Sequence, residues 1–204
     1  MKFNLLSKSM LGLSIFIVCL TSNANTINFD DTGAPSLFVN TVPLTNLYTG
    51  HGVTFSGIDG AGGSILNQSS NFGFNAHSGT DFLAFNTFAG TGYQELVSFD
   101  TAVDNVSIWA ISIFINSNFL MEAFNANDEL VDSYSYVLAP SSWTQSVVTG
   151  ANISKVRLTL GQANYFAYDD LEYSPVSSVP VPAALPLMLS GLGMLGFVRR
   201  NRKV

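Results

Sequence analysis

The most constraining feature of this sequence is an apolar run near its centre, residues 106–115, which reads VSIWAISIFI. The run is rich in β-branched and aromatic side chains, and it is apolar at both odd and even positions. A strand of this composition is covered on both faces, because either face would otherwise expose apolar surface to water. The run therefore predicts a central, buried strand of a layered β-structure.

Shorter runs of similar composition flank this one, and turn-forming residues separate them. We predict strands at 26–30, 53–55, 64–66, 81–85, 95–99, 119–124, 130–138, 156–160 and 165–173. Residues 100–105 and 125–129 have the composition of turns between neighbouring strands. No stretch between residues 25 and 178 has the period of an amphipathic helix. The pattern predicts an all-β fold, an antiparallel β-sandwich of the jelly-roll type.

The N-terminal segment has the order of a signal peptide. Lys2 and Lys8 precede an apolar run at 10–20, and small residues extend from there to Ala24. Signal peptidase recognises small residues at such positions, so we predict cleavage after Ala24 and export of the chain from Asn25 onward.

The other end carries a second apolar segment. Pro180, Val181 and Pro182 precede the uncharged stretch 183–198, and four basic residues follow within 199–203. As a helix this stretch would be about 24 Å long at about 1.5 Å per residue, a minimal span of a hydrocarbon core about 30 Å thick. The basic end favours the cytoplasmic side. We therefore predict three parts: a signal peptide (1–24), an exported domain (25–178) and a membrane tether (179–204).

A Pro-x-Pro motif, an apolar helix and an arginine-rich end, in this order, resemble the PEP-CTERM sorting signal of Gram-negative bacteria. The resemblance covers only residues from 179 onward, and Val181 stands where the family usually carries glutamate. It implies that a membrane protease, exosortase, is a partner and cuts near Pro180, Val181 and Pro182. The protein would be anchored transiently in the inner membrane and then reach the cell envelope or the outside.

The charge of the exported domain limits its partners. Between residues 25 and 178 there are two basic residues, Lys155 and Arg157, against all 14 acidic residues of the chain, a net charge of −12. Such a domain is a poor partner for nucleic acid or an anionic membrane surface. The only cysteine, Cys19, lies in the signal peptide, so the domain is not a disulfide scaffold.

The sequence offers little catalytic machinery. His51 and His77, the only histidines, lie in glycine-rich loops without metal-ligand spacing, so we interpret both as surface residues. Neither a nucleophile-elbow motif nor a zinc-protease motif is present. We therefore predict a protein that is not an enzyme. A glycan-degrading enzyme with two of the 14 carboxylates at its centre is a less favoured alternative.

Aromatic residues suggest a sugar-binding surface. Tyr134 and Tyr136 lie two residues apart on one predicted strand and so share a face, and Trp143 follows in a loop. Flat rings with a polar edge stack on sugar rings. The alternative is that these rings pack in the core of the sandwich. The predicted ligand is an exopolysaccharide of the envelope or extracellular matrix, and a structural or adhesive protein without a specific sugar site is the main rival.

Two acidic doublets lie near the ends of the domain, Asp30 with Asp31 and Asp169 with Asp170. The ending at 168–173, YDDLEY, looks like the last strand of jelly-roll carbohydrate-binding modules, in which such an Asp helps to hold a structural calcium ion with an acid from the first strand. The resemblance implies a Ca²⁺ site between the doublets. Strand alternation predicts that Asp169 and Asp170 point to opposite faces, with Asp170 and Asp30 as the favoured ligands. Solvated strand ends are the alternative.

Overall fold

Ten strands make up the part of the chain that the computed structural model describes, which is residues 24–33, 42–57, 63–70, 72–84, 94–161 and 166–176. They are β1 (Asn25–Ile27), β2 (Val42–Pro43), β3 (Val53–Gly57), β4 (Ser64–Asn67), β5 (Asp81–Ala84), β6 (Gln94–Ser112), β7 (Ser117–Phe124), β8 (Leu130–Leu138), β9 (Thr144–Leu160) and β10 (Phe166–Pro175). Single 3-10 turns lie at Asp30–Thr32, Thr49–His51 and Gln68–Ser70. The predicted all-β class is confirmed.

Two long strands, β6 and β9, run through both layers of the fold. The first half of β6 pairs with β3 and with the second half of β9, which also pairs with β7. The second half of β6 pairs with β10 and with the first half of β9. The first layer therefore consists of β3, β6, β9, β7 and β8, and the second layer contains β2, β4, β5, β10, β6 and β9, with β1 beside β10. All these strand pairs are antiparallel.

The strand β6 bends where the sequence predicts a turn. Residues 100–105 belong to β6, so the predicted turn is wrong. Val103 pairs with Ile153, and the register of β6 against β9 shifts on either side of this pair. In β9, Asn152 has a φ of 61° at the same level. Such irregularities bend a strand without ending it, and here the bend carries the chain from one layer to the other.

The core lies between the two layers. The rings of Phe119 on β7 and Tyr168 on β10 have centroids 6.0 Å apart, and those of Phe99 on β6 and Tyr173 on β10 are 5.3 Å apart. Because β7 and β10 are not hydrogen-bonded neighbours, the first contact joins the layers face to face. Each fully buried side chain of this size contributes about 1.5–3 kcal/mol. The predicted antiparallel β-sandwich is confirmed.

Residues 1–23 of the predicted signal peptide and the predicted membrane span at 183–198 lie outside the described residues. Within the described part of the chain, no helix has the length and apolar character needed to cross a membrane. The domain boundaries stay predictions.

Candidate functional site

The outward side chains of the first layer line a groove, here called the outer groove. Ser56 lies opposite Leu96, Leu96 opposite Arg157, and Arg157 opposite Glu122, so these side chains form a row across β3, β6, β9 and β7. Their neighbours along each strand point into the core, as the alternation of buried and half-buried residues in β7 shows. The groove has a volume of about 440 Å³ and is lined by Ser56, Gly57, Gln94, Leu96, Phe124, Asp128, Lys155 and Arg157.

Two ion pairs fix the charged groups of the outer groove. The Nε and Nη2 groups of Arg157 donate to Oε2 of Glu122 at 2.9 and 2.8 Å. The ammonium group of Lys155 pairs with the carboxylate of Asp128. The Phe124 ring centroid lies 4.9 Å from the Arg157 guanidinium carbon, within the range of a cation–π contact. Each of the two cations that line the groove is therefore paired with a carboxylate, although the exported domain as a whole is strongly acidic.

The predicted ring surface is only partly assembled. Tyr134 and Tyr136 lie on β8 opposite Met121 and Phe119, which are both buried. The two tyrosines therefore share one face, as predicted, and it is the inner face of the first layer. Tyr134 packs against the main core, whereas Tyr136 lies at the edge of the layer and is 44 % exposed.

Trp143 belongs to a different part of the molecule from the two tyrosines. It packs on a second apolar cluster, which consists of Leu66, Phe82, Ala84, Ile111 and Ala167. Its Nε1 group donates to the backbone carbonyl of Asn75 at 3.0 Å. Tyr134 and Trp143 therefore pack against apolar clusters, as the alternative interpretation expects. Tyr136 differs, because its ring is partly exposed.

Both acidic doublets contact one segment, residues 72–80, here called the strap. The Oδ2 atom of Asp169 accepts hydrogen bonds from the backbone N–H groups of His77 and Ser78 at 2.8 and 3.1 Å. Asp170 accepts the Ser78 hydroxyl at 2.6 Å and lies 2.6 Å from Nδ1 of His77. Asp30 accepts the N–H of Thr80 at 2.8 Å. The strap therefore links the segment after β1 to the last strand.

The alternation argument for Asp169 and Asp170 is wrong. Both side chains are largely buried, with exposed fractions of 0 % and 9 %, and both bind the same two strap residues. The register of β10 against β6 shifts between Asp169 and Glu172, and Asp170 has a φ of 45°. A bulge with this geometry turns two successive side chains toward one side. The sequence carries no signal of this bulge.

The four carboxylates of the predicted calcium clip accept hydrogen bonds from within the domain. Among the described residues, no three His, Cys, Asp or Glu side chains are grouped so as to hold a metal ion. Asp31 accepts the Tyr48 hydroxyl at 2.7 Å, and the other three carboxylates accept hydrogen bonds from the strap or from the start of β5. Calcium binding stays a prediction.

His77 is an exposed residue whose ring also makes specific contacts. Its ring stacks on Trp109 with centroids 3.8 Å apart and planes 17° apart, and its side chain is 28 % exposed. Both His77 and His51 are exposed, as expected for surface residues. Burial beneath the strap is the main cause that raises the pKa of Asp169 to about 7; the neighbouring Asp170 carboxylate adds to the rise and the backbone N–H groups oppose it.

Comparison with known proteins gave one family match and several distant structural similarities. Residues 178–203 match the family described as PEP-CTERM protein-sorting motif. No curated protein sequence matches the chain. The fold is distantly similar to the carbohydrate-binding module TmCBM61 in complex with β-1,4-galactotriose (11 % identity, TM-score 0.37, covering 67 % of this chain and 95 % of that one).

Two further solved structures are similar at the same distance. One is the K3 adhesin domain of Lys-gingipain from Porphyromonas gingivalis W83 (13 % identity, TM-score 0.33, covering 74 % of this chain and 90 % of that one). The other is the arabinose-bound α-L-arabinofuranosidase MgGH51 (11 % identity, TM-score 0.38, covering 55 % of this chain), of which this chain spans only 21 %.

The family match falls on the segment whose Pro-x-Pro motif is formed by Pro180, Val181 and Pro182, and it confirms the predicted sorting signal. The motif implies processing by exosortase, a membrane-associated partner. The chain carries the PEP-CTERM sorting motif in residues 178–203 and is an exported protein that is processed at the membrane and moves to the cell envelope or outside.

Proposed function

We propose that the β-sandwich of this exported protein binds polysaccharide in the cell envelope or extracellular matrix and acts by binding rather than catalysis. The observation that carries the proposal is the outer groove. It is an open channel of about 440 Å³ that crosses several strands of one layer, and its lining mixes polar with apolar side chains. A groove that crosses several strands suits an extended chain, because successive units of the ligand can contact side chains from different strands.

The chemistry of the lining supports a sugar ligand. Leu96 and Phe124 offer apolar surface for the C–H faces of a sugar, and Gln94 and Ser56 offer donors and acceptors. Small-molecule and glycan sites generally combine an apolar wall with a few placed polar groups that fix orientation. The strands hold all four side chains, so the groove exists before a ligand arrives and little ordering is needed on binding.

The exposed ring of Tyr136 supports a second candidate surface. Tyr136 and Val137 border a shallow depression with Asn118, Phe119, Leu120 and Ser135. One stacked sugar ring would contribute on the order of 1 kcal/mol here. Tyr134 and Trp143 are the other predicted sugar contacts. They would then stabilise the domain through packing and would not contact the sugar.

Binding of the purified protein to a panel of soluble and insoluble polysaccharides tests the proposal. We expect at least one polysaccharide to be retained, and the variant Gln94→Ala to weaken that binding several-fold while Tyr136→Ala leaves it unchanged. Loss of binding in Tyr136→Ala with full binding in Gln94→Ala would assign the site to β8 instead. If no polysaccharide binds, the proposal of polysaccharide binding is wrong. That result would favour the rival interpretation, an adhesive or structural matrix protein.

A further inference from the structure

The outer groove contains both basic residues of the exported domain, and this placement bears on the class of ligand. Lys155 and Arg157 are the only basic residues between positions 25 and 178, and both line the groove. Taken alone, this would suggest a site for acidic polysaccharide, because ammonium and guanidinium groups bind carboxylate and sulfate.

The contacts of these two cations argue against an acidic ligand. Arg157 directs two N–H groups at Glu122, whose side chain is only 17 % exposed, and Lys155 pairs with Asp128. An acidic sugar would have to displace a carboxylate that the strand pairing of β7 and β9 places directly opposite Arg157. It would also approach a domain with 14 acidic and two basic residues, whose field repels polyanions.

The same contacts suit an uncharged sugar. Arg157, which lines the groove, has five N–H groups, and Glu122 takes two of them, so three donors remain. Each carboxylate keeps lone pairs beyond the bonds it accepts from its cation. A fixed donor beside a fixed acceptor matches a pair of neighbouring hydroxyl groups, since each hydroxyl both donates and accepts. Charge-assisted hydrogen bonds of this kind are about twice as strong as neutral ones.

We propose, on the basis of the proposed polysaccharide binding, that the ligand is an uncharged polysaccharide and that the pairs Arg157–Glu122 and Lys155–Asp128 bind its neighbouring hydroxyl groups. Glu122 and Asp128 are then ligand acceptors as well as partners of the cations. Specificity against acidic chains comes from the same two carboxylates, which repel a charged ligand.

The variant Glu122→Gln distinguishes an uncharged from an acidic ligand, because it should change the binding affinity in opposite directions for the two. The substitution keeps the shape and one acceptor oxygen but removes the negative charge. For an uncharged ligand we expect several-fold weaker binding, because a charge-assisted acceptor is lost and Arg157 is held less firmly. For an acidic ligand the same change would strengthen binding, because a competing negative charge disappears. Asp128→Asn provides the same comparison at Lys155, and Ser133→Ala, which lies opposite Glu122 on β8, is a matched control.

The measurement is the affinity of the purified full chain for two soluble probes, an uncharged β-galactan and polygalacturonate, at 50 and 500 mM NaCl. We expect the affinity for the galactan to change less than about twofold between the two salt concentrations, because an uncharged ligand neutralises no net charge. We also expect this affinity to be weaker in Glu122→Gln. Binding to polygalacturonate that falls with salt and strengthens in Glu122→Gln would overturn the inference and leave the proposed function intact. Absence of binding to both probes and to every polysaccharide of the wider panel would overturn the proposed function itself. A melt of each variant checks that the fold is retained.

Discussion

The backbone of Gly79 lies directly against the carboxylate of Asp30. Gly79 has a φ of +56°, and a Cβ atom at this position would overlap the Asp30 side chain. The same carboxylate accepts the N–H groups of Thr80 and Asp81 at 2.8 and 3.0 Å. Glycine is therefore required here twice, for its backbone conformation and for the close approach of the carboxylate.

We expect Gly79→Ala to destabilise the domain more than Gly73→Ala does. Gly73 also has a positive φ, +86°, but nothing lies within 4 Å of its missing Cβ. Each alanine carries the cost of the left-handed conformation, about 1–2 kcal/mol. Gly79→Ala additionally separates Asp30 from its N–H partners, which adds on the order of 1–3 kcal/mol. Chemical denaturation of the two variants measures the difference, and equal losses would show that the Asp30 contact contributes nothing.

The buried Asp169 makes stability depend on pH. Its pKa is raised to about 7, chiefly by burial, so between about pH 4 and pH 7 the folded state holds a proton that the unfolded state has released. Stability therefore falls as pH rises through this range, by roughly 2–4 kcal/mol at about 1.4 kcal/mol per pKa unit. We expect Asp169→Asn to flatten this dependence and the exposed Asp100→Asn to preserve it. Denaturation curves at pH 5 and pH 8 give the comparison, and a wild-type curve that gains stability with pH would contradict the assignment.

The two tyrosines of β8 have different roles. Tyr134 packs against the main core, so we expect Tyr134→Ala to cost about 2 kcal/mol through lost burial. Tyr136 is 44 % exposed, and Tyr136→Ala should change the free energy of unfolding by about 0.5 kcal/mol or less. Thermal melts of the single variants check both values. A large loss in Tyr136→Ala would make it a core residue and remove it from the candidate sugar contacts.

The sorting motif predicts a shortened mature protein. We expect exosortase to cut near Pro180, Val181 and Pro182, so that the exported form lacks residues 180–204 and has its C-terminus near residues 179–183. Mass spectrometry of the exported form determines its C-terminal residue. Recovery of peptides that end at Val204 from the mature pool would show that the segment is retained.

Calcium at the acidic doublets is tested by melting. A cation that binds only the folded state raises stability by about 2.7 kcal/mol at a hundred times its dissociation constant. The proposal therefore expects a higher midpoint with calcium than with a chelator, and a smaller difference in Asp30→Asn. Equal midpoints would mean that the hydrogen bonds of the strap hold Asp30, Asp169 and Asp170 without a metal ion.

Local patterns in the sequence determined the class of the fold and the destination of the chain. Strand composition and the absence of helical periodicity predicted an all-β domain, and the turn at 125–129 is confirmed: its Asn125 N–H donates to the Glu129 carbonyl at 3.0 Å. The sorting signal is read from one continuous segment, so residues 178–203 carry it whatever the domain before them does.

The tertiary structure decided those features that depend on pairing between strands far apart in the sequence. Residues 100–105 have turn-forming side chains, yet they continue β6. Residues 144–155, where no strand is predicted, belong to β9. Both outcomes follow because the two strands pair with each other along most of their length. Hydrogen bonds and burial supplied by a partner outweigh local propensity, which differs between residues by only about 1 kcal/mol. The bulge at Asp170 and the outer groove arise in the same way. The row of Ser56, Leu96, Arg157 and Glu122 comes from four strands, and no local pattern encodes a row whose members meet only after those strands have paired.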